Sequence, residues 1–174
     1  MLDSAGNYGT MALTNRYKTA TGSGTIAALI LVLVFGSPWY RDWVNQNYTD
    51  TTAGGWFLHL LGYPAWRFDS SDSLQDVLAD DLRAILVVVL TALFLYLLPG
   101  SQLARARGTL SQFFAGWGSY IFAGAFAGLI TALVRSNPSL LGAFNAAGQG
   151  AAYGLFVGWI IGIATLGGRR GTRS

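Results

Sequence analysis

The sequence predicts an all-α integral membrane protein. It has four transmembrane helices, both termini cytoplasmic, and an aromatic-rich extracytoplasmic loop containing short interfacial helices. Three observations carry this prediction. Of 174 residues, 52% are hydrophobic and 11% charged, under half the ~25% charged residues of ordinary soluble domains. Four stretches, 19–40, 84–104, 108–134 and 136–168, contain no Asp, Glu, Lys or Arg. The Lys and Arg residues around them fall unevenly on two sides. A bilayer core needs about 20 apolar helical residues, and lipid cannot satisfy stray backbone N–H and C=O groups, so each stretch is read as a helix. The expected organisation is a cytoplasmic tail over 1–18 and a single four-helix domain over 19–174. Its spans lie near 20–40, 82–99, 111–134 and 138–166, with an outer loop over 41–81.

The tail and the residues up to 24 are rich in Gly, Ser, Thr and Asn, a composition that packs poorly by itself. The first span is most apolar over 26–35 and is expected to close at Pro38, with Trp39 and Tyr40 at the level of the headgroups. It has the basic flank of a signal peptide but no small-x-small cleavage site before Trp39, so it is read as a retained span.

Four of the six Trp lie between positions 39 and 66, in and just before the outer loop. Trp39, Trp43, Trp56, Phe57 and Trp66 are its candidate partner-contact residues, because interfaces select large aromatics. Residues 55–62, bounded by Gly54–Gly55 and by Gly62–Tyr63–Pro64, read as a short helix lying in the membrane interface. The stretch from Thr49 to Gly55 reads as a connector.

The second span is expected to begin before the membrane, with Ser73 and Asp76 as a capping box. Asp80, Asp81 and Arg83 then sit at its outer end, where they cap the helix or pair with each other. Pro99–Gly100 closes it.

The third span carries Gly116, Gly124, Gly128 and Ala132 in one row, beside a second row of Ala115, Ser119, Ala123, Ala127 and Thr131. The fourth is expected to start with Asn137 as N-cap and Pro138 as first helical residue. Gly142, Ala146, Gly150, Gly154, Gly158 and Gly162 then recur every four residues. Residues four apart share a helix face, and small residues let two membrane helices approach closely. The loop at 135–139 is short, so spans three and four are expected to pack as an antiparallel hairpin through these rows. Two rows on span three also leave room for a stripe that docks a partner subunit. A further row, Asn145, Gln149 and Tyr153, is expected to form interhelical hydrogen bonds to Ser119, Tyr120 or Thr131.

Orientation follows from basic residues. Arg16, Lys18, Arg105, Arg107, Arg169, Arg170 and Arg173 fall on one side, and Arg41, Arg67, Arg83 and Arg135 on the other. The richer side is expected to be cytoplasmic, giving an N-in, C-in multi-pass protein. The abundance of Arg over Lys, with much Ala and Gly, suggests a bacterial inner membrane.

Several function classes are excluded at this point. With no Cys there are no disulfides, thiolate metal sites or thiol nucleophiles. One His cannot build a multi-histidine centre. The four uncharged stretches contain no Asp, Glu, Lys, Arg or His of the kind that proton relays and voltage sensors use. There is no phosphate loop and no nucleophile elbow. No enzyme activity and no nucleic-acid partner are expected. The expected function is a non-catalytic accessory subunit of a larger bacterial membrane complex, of the respiratory or photosynthetic kind. Its partners are other membrane subunits and lipids, the C-terminal tail contributing ~1 kcal/mol per basic residue on an anionic surface. One rival is a homo-oligomeric channel built on the glycine rows. Another is a pigment- or haem-binding subunit with His59 as candidate axial ligand, although a hydrogen-bonded interfacial histidine is the simpler role.

Overall fold

The computed structural model describes residues 5–66, 74–97, 109–135 and 137–167, with side chains described from residue 20 onward. Among these the chain is all-helical, with seven helices and no strand. They are α1 (Ala5–Phe35), α2 (Pro38–Asn47), α3 (Ala53–Leu61), α4 (Leu74–Leu97), α5 (Thr109–Val134), α6 (Leu140–Val157) and α7 (Trp159–Gly167).

Helix α5 is long and apolar enough to cross a membrane by itself. The pairs α1–α2 and α6–α7 reach that standard only if each bent pair counts as one span, the bends being 59° and 50°. Helix α4 does not reach it, because Asp80, Asp81 and Arg83 leave only 84–97 free of charge. Length and apolarity therefore define between one and three spans among the described residues, fewer than the four expected. The surface agrees with insertion: Ile26, Ile30, Leu33, Val89, Leu93, Phe122 and Ile163 are all exposed, more apolar exterior than a water-soluble monomer presents.

The helix ends depart from the sequence reading in specific ways. Helix α1 reaches back to Ala5, through most of the segment expected to be a tail. The first helix ends at Phe35, just before the expected stop at Pro38, and Pro38 opens a second helix where an end was expected. Ser37 is the N-cap of α2, its hydroxyl accepting from the Tyr40 N–H, and Pro38 starts the new helix with its φ already set. Gly36 is required there, since a Cβ would collide with the Pro64 carbonyl. Helix α3 is capped by Thr52, whose hydroxyl accepts from the Gly55 N–H at 3.1 Å, so it starts two residues before the expected 55. The N-cap of α6 is Ser139, which accepts from the Gly142 N–H at 3.0 Å. Asn137 is not the cap, because a hydroxyl two residues closer to the apolar run holds that role. Ser73 and Pro99–Gly100 lie outside the described residues.

The long helices form a closed ring: α1 packs on α4, α4 on α5, α5 on α6 and α7, and α7 back on α1. At the end nearest Ala20, polar side chains tie neighbours together. The Thr21 hydroxyl donates to Leu95 O at 3.3 Å, Ser23 to Ala164 O at 2.8 Å, and the Gln112 amide to Thr165 O at 2.8 Å. At the middle the core is apolar, with Ala28, Val32, Val87, Val157 and Ile161 fully buried. Helices α2 and α3 pack against each other at the opposite end, and α3 also leans on α6, where Trp56 meets Phe156 edge-on at 4.9 Å. Helix α3 is thus braced against the bundle as well as against its neighbour in the loop.

Candidate functional site

The glycine rows govern how α5 meets α6 and α7. A Cβ at Gly150 would strike the Gly124 carbonyl, and one at Gly124 would strike the Gly150 carbonyl. A Cβ at Gly154 would lie 2.5 Å from Ile121 Cα, one at Gly162 2.8 Å from Phe113 O, and one at Gly116 3.1 Å from Gly162 Cα. Gly128 abuts the Ala146 carbonyl, and Gly158 abuts Trp117 and Tyr120. Backbone therefore touches backbone along most of the hairpin, and α5 and α6 run antiparallel as a short connection requires. Gly142 is the exception: it is exposed, and a Cβ there would meet only its own cap, Ser139. The reason is geometric. A row spaced four residues winds about the helix by roughly 40° per step, so its far end turns off the contact face. The bend at Gly158 brings the other end back against α5.

The same winding separates the polar row. Tyr153 faces inward and its hydroxyl meets that of Tyr120 at 2.7 Å, both side chains fully buried. Asn145 and Gln149 do not make the expected interhelical bonds: both are exposed on the outer face of α6, beside Gly148, around which nothing lies within 4 Å. Ser119 and Thr131 instead bond carbonyls of their own helix, Ala115 O at 2.7 Å and Ala127 O at 2.8 Å.

The most developed polar site lies at the end of the bundle away from Ala20, beside α2 and α3. The carboxylate of Asp80, 6% exposed, accepts from Arg83 one helical turn on and from Arg135 after α5 at 2.7 Å. The Arg83 guanidinium also sits over the Tyr63 ring, 5.1 Å from its centroid. That ring stacks on Tyr153 at 5.0 Å, and its hydroxyl reaches towards Ala146 O at 3.4 Å. Burial raises the Tyr63 phenol above its ordinary pKa, opposed by the Arg83 and Arg135 charges, so it stays a neutral donor. Tyr63 thereby links the outer cluster to the Tyr153–Tyr120 pair inside.

Around this cluster lies a cavity of about 290 Å³ between α2, α3 and the outer ends of α4 and α5. Its charged lining among the described residues is Arg41, Arg83 and Arg135 against Asp80, joined by His59, Tyr40 and Asn45. Such a lining can hold a small anion. His59 bonds through Nδ1 to Gly55 O at 2.9 Å, which leaves Nε2 as the ring nitrogen for the cavity. No group of three or more His, Cys, Asp or Glu able to hold a metal occurs among the described residues.

The aromatic residues fall on two sides. Trp39 is 75% exposed, and Trp43 and Trp56 are also exposed, whereas Phe57 and Trp66 are half-buried in the fold. Trp66 is a structural tie, its indole N–H donating to Val32 O and its backbone N–H to Gly36 O. Phe35, Tyr40, Trp43 and Tyr48 form a ladder of ring contacts at 5.0, 6.1 and 5.3 Å. Sequence reasoning missed the convergence of Arg41, Arg83 and Arg135, and the insertion of Tyr63. Neither has a local signal, because the residues come from four separate segments.

No protein-family model, no curated protein and no solved structure matches this chain. The class that the fold supports is a helical protein with at least one helix able to cross a membrane.

Proposed function

We propose that the chain is a non-catalytic, four-span subunit of a larger bacterial inner-membrane complex, inserted with both termini on the cytoplasmic side. One observation carries the reading. Asn145 and Gln149 stand one turn apart on the outer face of α6, exposed within an otherwise apolar helix. An amide facing lipid is costly, whereas an amide facing another helix gains a hydrogen bond. Gly148 between them permits the close approach that such a bond needs. The open Trp39 and Trp43 extend the contact surface at the loop. Counting α4 as the fourth span requires its charged first turns to stand in the outer headgroup zone, which suits the Asp80 cluster.

Site-specific photo-crosslinking in native membranes tests this. A benzoylphenylalanine at position 149 is expected to trap a protein other than this chain, while one at Leu93, on α4, is not. Crosslinks only to a second copy would replace the reading by the homo-oligomeric one, and none at all would remove both.

A further inference from the structure

We propose that the cavity at the outer end binds a phosphate group, as the headgroup of an anionic phospholipid or as a free phosphate ester. This goes beyond the assembly reading and does not rest on it. Arg41, Arg83 and Arg135 line one space of about 290 Å³, and among the described residues Asp80 is the one carboxylate in its lining. Asp80 holds Arg83 and Arg135 together at the wall of this cavity. A guanidinium has five N–H donors, and the Asp80 contact takes a single nitrogen of Arg135. Arg41 lines the cavity from α2, and among the described residues it takes part in no ion pair. Planar forks of this kind match the oxygens of a phosphate.

Size and depth agree. At ~30 Å³ per water, the space of about 290 Å³ equals about ten waters, room for a glycerophosphate. The exposed Trp39 and Trp43 on α2, next to Arg41, put the cavity at the level where aromatic side chains meet lipid phosphates. His59 Nε2, with Nδ1 already committed to Gly55 O, is an acceptor for a ligand hydroxyl such as that of glycerol.

The test uses the full chain in two arms. In nanodiscs of equal phosphatidylglycerol and phosphatidylcholine, native mass spectrometry after release is expected to show phosphatidylglycerol retained preferentially. In detergent, calorimetry with glycerol 1-phosphate measures a free ester. Arg41→Gln is expected to weaken whichever binding occurs about tenfold, and Arg41→Lys by less, since charge remains but the fork is lost. Preference in the first arm alone assigns the site to lipid; binding in the second assigns it to a soluble ester. Equal retention of both lipids together with no heat from the ester overturns the proposal on the unaltered protein. So does unchanged binding in folded Arg41→Gln. Loss of the crosslink at position 149 would leave this result untouched, so the two readings fail separately.

Discussion

Gly150 and Gly148 lie on the same helix two residues apart, and the same substitution should affect them oppositely. In Gly150→Ala the new Cβ would stand 2.5 Å from the carbonyl carbon of Gly124, where ordinary contact begins at 3.4 Å. The obstacle is backbone, which cannot rotate aside, so α5 and α6 must part by at least the difference, 0.9 Å. A gap of that size forfeits roughly a quarter to a half of the dispersion energy along the contact. Overpacking costs about 1–3 kcal/mol, and the better helix propensity of Ala returns up to ~1 kcal/mol. The expected net loss is about 1–2 kcal/mol. Gly148 has nothing within 4 Å, so Gly148→Ala should be neutral or stabilising by up to about 1 kcal/mol in the isolated chain. Reversible unfolding in mixed dodecyl maltoside and SDS micelles, followed by circular dichroism, measures both. If Gly150→Ala changes stability by less than about 0.5 kcal/mol, or both variants lose equally, the close crossing of α5 and α6 is wrong.

Three further outcomes are expected. Tyr120→Phe or Tyr153→Phe removes one half of a buried hydroxyl pair 2.7 Å apart. Each should cost about 1–3 kcal/mol by the same unfolding assay, and the double variant clearly less than the sum, because no orphaned hydroxyl remains. Asp80→Asn takes the shared carboxylate from two guanidiniums and should destabilise by about 3 kcal/mol. Arg135→Gln leaves Arg83 on Asp80 and, with its side chain 43% exposed, should cost under about 1 kcal/mol in the same melts. Finally, the chain has no Cys, so single cysteines are clean reporters. Cysteines at Asn47 and Asn137 should react with an impermeant maleimide from outside intact cells, and one at Ser174 only after permeabilisation; the reverse pattern would invert the orientation.

The sequence determined by itself what depends on composition and on spacing along one helix. Long charge-free runs meant helices with apolar exteriors, since no other local structure satisfies its own backbone in lipid. The every-four glycine row meant close packing of the third and fourth stretches, because a five-residue connection makes them antiparallel neighbours. The pairing of Asp80 with Arg83 was also within reach, the two being one turn apart. Tertiary structure decided what depends on angle. Winding of the four-residue row turned Gly142 out of the contact and sent Tyr153 inward while Asn145 and Gln149 stayed outside. Capping by Ser37 and the Pro64 carbonyl beside Gly36 broke the first span where hydropathy alone showed continuity. The cavity is the clearest case. Arg41, His59, Asp80 and Arg135 come from α2, α3, α4 and the end of α5, and no periodicity in a chain encodes a meeting that only the bends between helices bring about.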